Sequence, residues 1–170
     1  MSATAPALRR RGLIGVVGLV FAFASAAMSL GNRADASTVS VSGSYSFSFT
    51  PLGCRSTVGI TCYTGNMRGG IAGGLEAAML AGTPTVPLGV FNALADVVVH
   101  TSTGDLRCTV NGVINTSSPD GEIAALCVIT GGTHRWTGAR GYLQWWGNTT
   151  PSPAFPAFSG SGEYRGKGNL

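Results

Sequence analysis

The sequence predicts an all-β domain, an eight-stranded antiparallel barrel, on three observations. A segment near residue 40 alternates strictly between apolar and hydroxyl side chains. Turn residues recur at short spacing, and no stretch makes a convincing helix. Glycines lie inside the strand segments, where strong coiling and corners need them. Closure also removes exposed edges. A β-sandwich is the rival arrangement of the same strands.

The first strand has the cleanest period. Val39, Val41, Tyr45, Phe47 and Phe49 alternate with Ser40, Ser42, Ser44, Ser46 and Ser48, and Gly43 takes the remaining odd position. A period of two means one apolar and one hydroxyl face. Pro51 and Gly53 end it. A loop from Cys54 runs into a short strand near Cys62 and Tyr63. Arg68 to Leu80 is read as a strand, because its four glycines before Leu75 argue against a helix start. Ala81 to Pro87, with two prolines, is a loop.

Val90 to Thr101 ends in Val97-Val98-Val99 and reads as a strand. After a turn at residues 102–105, Leu106 to Asn115 and Glu122 to Thr130 make the clearest hairpin. Leu106, Cys108, Val110 and Ile114 share one face, as do Ile123, Ala125, Cys127 and Ile129. Gly131 and Gly132 open the next turn. The strand from Gly141 to Gly147 sets Tyr142, Gln144 and Trp146 against Leu143 and Trp145. Asn148 to Pro156 is a loop, and Phe158 to Asn169 is the last strand.

Residues 1–36 read as a signal peptide and 37–170 as the single barrel domain. Arg9, Arg10 and Arg11 precede an uncharged apolar run from Gly12 to Leu30, and Ala34-Asp35-Ala36 fits a small-x-small cleavage site. Ala24-Ser25-Ala26 is a second candidate site, and a retained membrane anchor is the alternative reading. Export places the protein outside the cell, with the membrane met only through this segment.

Cleavage also changes the charge. The whole chain carries +4, but four of its eleven basic residues (Arg9, Arg10, Arg11, Arg33) and one of its seven acids (Asp35) lie in the leader. The remaining domain is nearly neutral, so nothing points to nucleic acid. All four cysteines lie in the domain, and an even number in an exported chain predicts two disulfides with three connectivities open. Cys54–Cys62 and Cys108–Cys127 is the expected pairing, since each bond then staples one local unit. The spacing is wrong for zinc, and no metal or cofactor is expected.

The stretch Ile129-Thr130-Gly131-Gly132-Thr133, followed by Trp136 to Tyr142, resembles the G-G-T-G-x-[FY]-x-x-A-[RT]-G motif of allene oxide cyclase-like and dirigent-like proteins. Gly104-Asp105, Gly112-Val113 and Asn115 fit the same pattern, as does Gly160 to Gly166 with Tyr164. The match is good over Leu106 to Leu170 and rests on strand pattern alone before that. Secreted actinobacterial proteins with this barrel look similar. The resemblance implies a calycin-like antiparallel barrel, often trimeric, with an apolar cavity open at one end. It also implies steering of cyclisation or coupling of small hydrophobic molecules. Arg140 matches the motif's arginine. The sequence departs from the motif at His134, where the turn has its last glycine, and at Arg135, where dirigent proteins often carry an acid.

The candidate cavity residues are Tyr45, Phe47, Phe49, Tyr142, Trp146 and Tyr164, with Arg140 either orienting a ligand or capping a barrel rim. Glu76 and Asp96 are the acids placed within strands. Burial in an apolar cavity raises a carboxyl pKa and makes a general acid or base, whereas alternation also allows them the solvent face. His100 ends one strand and His134 lies in a turn, both read as surface side chains. The expected function is binding of a small hydrophobic molecule. The alternatives are a cyclase or isomerase that confines a reactive substrate, and a structural surface protein with a filled barrel.

Overall fold

The computed structural model describes residues 37–86, 89–116, 121–151 and 157–170. The expected signal segment lies outside the described residues, as do most of the turn at 117–121 and the end of the loop before Phe158.

Eight strands form a closed barrel: β1 Val39–Thr50, β2 Thr61–Gly69, β3 Gly73–Pro84, β4 Val90–Thr101, β5 Gly104–Asn115, β6 Gly121–Gly132, β7 Arg140–Pro151 and β8 Phe158–Asn169. Each strand pairs antiparallel with its sequence neighbour, and β1 pairs with β8 to close the ring. The order is up-and-down throughout, with no crossover. A barrel rather than a sandwich results because β1 has a partner on both edges: Gly43 lies opposite Gly69 of β2 and Tyr164 of β8. One turn of 3-10 helix, His134–Trp136, links β6 to β7.

Alternation places the core. Tyr45 and Phe47 point inward and are buried, while Ser44, Ser46 and Ser48 are exposed. The expected faces of β5 and β6 also pack inside, with Leu106, Cys108, Val110, Ile114, Ile123, Cys127 and Ile129 all in the core. Both expected disulfides are present, Cys54–Cys62 and Cys108–Cys127. The second lies within the barrel, since both cysteines are almost fully buried. Glycine in β8 makes room for β1 aromatics: a Cβ on Gly160 would sit 2.5 Å from the Phe47 ring.

Three local expectations change. Residues 68–80 are not one strand, because the chain turns at 70–72 between β2 and β3. That turn is held from inside by the Tyr164 hydroxyl, which accepts from Ile71 N–H at 2.8 Å and donates to Ile71 C=O at 2.9 Å. The loop expected from Ala81 begins later, because β3 continues to Pro84 against β4 after a register shift between Met79 and Ala81. β7 likewise extends beyond Gly147 to Pro151, paired with β8.

The segment 51–60 folds over the outer face of β2 to β4. Cys54–Cys62 fastens it to β2, and Ile60 N–H donates to Met79 C=O. Outward residues of β3 and β4 therefore lose contact with water, with Ala78 at 0% and Val98 at 2% exposure. Val97-Val98-Val99 is continuous apolar sequence because both of its faces are covered.

His134 is the non-glycine residue held at positive φ (51°) among the described residues. The left-handed region costs an L-residue roughly 1–2 kcal/mol, and glycine recovers this less its own chain-entropy cost of roughly 0.5–1 kcal/mol. His134→Gly should therefore stabilise the domain by about 0.5–1 kcal/mol. Urea denaturation reads this as a higher midpoint, and a lower one would show that the imidazole contributes more than its backbone strain costs.

Candidate functional site

The interior is filled unevenly. Towards the end where β1 leads to β2 and β7 to β8, a pocket with about 50 Å³ of free space remains. Phe47, Tyr63, Trp145 and Phe158 form its aromatic side, contributed by β1, β2, β7 and β8. Ala77, Ala93, Ala95, Gly112 and Ala125, from the other half of the barrel, form its small side. The same half also contributes Met79, Val97, Val110, Ile114 and Ile123 to the lining. Here the small side chains leave the gap.

The aromatic side is itself tightly packed. Tyr63 and Phe158 have ring centroids 4.7 Å apart, and Phe47 meets Phe158 edge-on at 5.8 Å. Tyr45 stacks on Trp145 at 5.0 Å, one layer deeper. Burial pushes the Tyr63 hydroxyl up to about 12. Burial raises the Tyr45 hydroxyl as well. These phenols stay protonated at physiological pH and offer an O–H rather than a charge.

Two polar atoms stand out in this apolar setting. The Tyr45 hydroxyl and the Trp145 indole N–H are buried and have no hydrogen-bond partner among the described residues. A buried donor left unmade costs about 1–3 kcal/mol, and native interiors rarely keep one without a reason. The two belong to side chains stacked on one another. Trp145 lines the pocket with apolar ring atoms, and Tyr45 packs behind it.

Of the residues singled out from sequence, Tyr45, Phe47 and Tyr164 lie inside the barrel. Phe49 is partly buried against the core. Tyr142 and Trp146 do not line the interior pocket: they are 41% and 37% exposed on the outer face of β7. β7 turns Leu143 and Trp145 inward instead, and Trp146 lies outside under the Arg165 guanidinium at 5.4 Å. Tyr164 is spent on the 70–72 turn rather than offered to a ligand. Trp145, the wall residue that sequence reasoning passed over, differs from Trp146 only in parity along the strand.

Arg140 is at the rim, where its guanidinium donates to the backbone carbonyls of Thr130 and Ala139. It does not reach the pocket lining. Asp96 faces outward and accepts from the Thr109 hydroxyl at 3.1 Å. Glu76 is also on the outer face, beneath the 51–60 segment, and accepts Ser56 N–H at 2.8 Å. Burial alone would raise the Glu76 carboxyl. Hydrogen bonds from Ser56 and Arg55 and the nearby His100 outweigh it, so Glu76 is held below the ordinary carboxylate range. His134 is exposed in the β6–β7 link. His100 is bonded on the outer wall to Ser56 and Asp105. Among the described residues, no cluster of three or more histidine, cysteine or acidic side chains is placed to hold a metal.

Fold and pocket together define a disulfide-stapled, closed β-barrel with an apolar interior and two unspent hydrogen-bond donors. Neither a family model, nor a curated protein, nor a solved structure matches the chain.

Proposed function

We propose that this is a secreted barrel of the allene oxide cyclase-like and dirigent-like type that binds a small hydrophobic molecule carrying one oxygen acceptor. The observation that supports the reading is an apolar pocket walled by Trp145, whose indole N–H and the O–H of the stacked Tyr45 are buried without partners among the described residues, so that an acceptor reaches them when the wall rings shift. Apolar walls with a few placed polar groups are what small-molecule sites are made of. The two disulfides suit an oxidising compartment outside the cell.

The free space limits the occupant. About 50 Å³ admits a group of a few heavy atoms, well below the roughly 300–1,000 Å³ of drug-sized pockets. A larger ligand requires the wall to move, and Met79 is its most adaptable member. The same small volume favours a second reading, a filled barrel with a structural role at the cell surface. The cyclase or isomerase reading has less behind it, because the pocket lining contains no carboxylate and Arg140 is engaged at the rim.

Native mass spectrometry of the protein taken from the medium of its host separates these readings. Binding predicts an adduct of constant mass on the wild type that is lost in Ala125→Leu, which fills the small side of the pocket. An empty wild-type barrel in every preparation supports the filled structural protein instead.

A further inference from the structure

We propose that Ser56, His100 and Asp105 form a nucleophilic site on the outer wall of the barrel that transfers acyl groups from activated carboxylic esters. Three separate segments meet there. Ser56 lies in the 51–60 segment, held down by the Cys54–Cys62 disulfide and by its own N–H to Glu76. His100 is on β4, and Asp105 is its cross-strand partner on β5. The Asp105 backbone is pinned in turn, its N–H donating to the Thr133 hydroxyl at 2.9 Å.

The contacts run in the order that nucleophilic catalysis needs. Asp105 Oδ1 lies 2.8 Å from His100 Nδ1. A carboxylate there accepts an N–H, which puts the proton on Nδ1 and leaves the Nε2 lone pair free. Ser56 Oγ lies 3.1 Å from that Nε2, within reach for its hydroxyl to donate to the base in this tautomer. The His100 side chain is 37% exposed and that of Asp105 30%, so a solute can approach.

Glu76 is the other charged group at the imidazole, 3.8 Å from Nε2. It accepts the Ser56 N–H at 2.8 Å and so positions the serine, and its carboxylate competes with the imidazole for the hydroxyl proton. Once the proton moves to Nε2, the imidazolium lies between two carboxylates that stabilise it.

The step balances within these groups. Ser56 Oγ attacks the ester carbonyl as its proton passes to His100 Nε2. The tetrahedral adduct collapses, the bond from carbonyl carbon to leaving oxygen breaks, and His100 protonates the departing alcohol. Water then attacks the acyl-serine with His100 as base, releasing the acid and restoring Ser56. Ser56 N–H, a natural donor to the oxyanion, is occupied by Glu76. The substrates are therefore esters whose leaving group needs little help, such as aryl esters.

The test uses a fluorophosphonate probe on the intact secreted protein, with the modified residue located by peptide mass spectrometry. Phosphonylation at Ser56 with loss of fluoride is expected. General-base assistance is worth about 100-fold or more, so His100→Gln should slow labelling by that factor. Ser56→Ala, which alters one hydroxyl in a surface segment, should abolish the label and the acyl-enzyme formed with p-nitrophenyl acetate while leaving the melting curve in place. Asp105→Asn should slow labelling, because the imidazole loses the carboxylate that holds its proton on Nδ1. An unlabelled Ser56 in the folded wild type, or equal labelling in a folded His100→Gln protein, overturns the proposal.

Discussion

Replacing Cys108 and Cys127 together by alanine should destabilise the domain by about 3–5 kcal/mol. The bond closes a loop with a sequence separation of 19 residues. Restoring that loop's freedom to the unfolded chain accounts for about 3 kcal/mol. The remainder comes from location: the two cysteines are 4% and 0% exposed inside the barrel, so their loss leaves a void in close-packed surroundings. With a urea m-value of about 1–3 kcal/mol/M, the midpoint should fall by roughly 2 M. Loss of Cys54–Cys62 should act differently, since that bond fastens the 51–60 segment outside the barrel wall. A double alanine variant at 108 and 127 that lost under 1 kcal/mol would mean that the β5–β6 hairpin is fully ordered without its cross-link.

Tyr164→Phe should cost about 2–4 kcal/mol, an unusual amount for one oxygen atom. The side chain is 1% exposed, and its hydroxyl reaches the β2–β3 turn over Gly43 of the intervening strand β1. It also approaches the Arg68 carbonyl at 3.2 Å. Phenylalanine fills the same space but leaves both backbone groups of buried Ile71 without this partner, each costing about 1–3 kcal/mol. Burial raises the Tyr164 pKa, with the Ile71 hydrogen bond acting against it. Urea denaturation measures the loss, and faster hydrogen exchange at the Ile71 amide assigns it to the turn. Tyr45→Phe is the internal contrast: its hydroxyl has no partner among the described residues, so the ligand-free protein should lose nothing. Equal effects at the two tyrosines would contradict this hydrogen-bond account.

Where local chemistry decides structure, the sequence was readable. The serine alternation of β1 marks an inside and an outside directly, and the β5–β6 hairpin carries matched apolar faces with cysteines on both. The turn at 70–72 was not readable, because glycines run on both sides of it and its anchor is Tyr164, more than ninety positions away. Val98 posed a similar difficulty. Alternation assigns it to solvent, and only the folded-back 51–60 segment covers it.

The pocket shows the limit of period-two reasoning most clearly. Alternation correctly separates Trp145 from Trp146, but it does not say which face of β7 turns inward. That choice comes from neighbours: Trp145 pairs with Ala125, whose small side chain lines the interior, and Trp146 pairs with exposed Ala124. The outer-wall group was still less visible. His100 was read as a lone surface histidine, and its partners Ser56 and Asp105 come from a loop and a strand start that carry no motif. The cross-strand position of Asp105 follows from the β4–β5 turn. That of Ser56 needs the whole 51–60 fold.

The most direct test of the central claim is a crystal structure of the protein purified from its host's secretions, at a resolution that shows ordered water. The account predicts non-aqueous density among Phe47, Trp145 and Ala125, with an oxygen within hydrogen-bonding distance of Trp145 Nε1 or Tyr45 Oη. A pocket that is dry or holds water alone, with both donors unchanged, would contradict ligand binding and leave a barrel whose interior serves only to hold itself together.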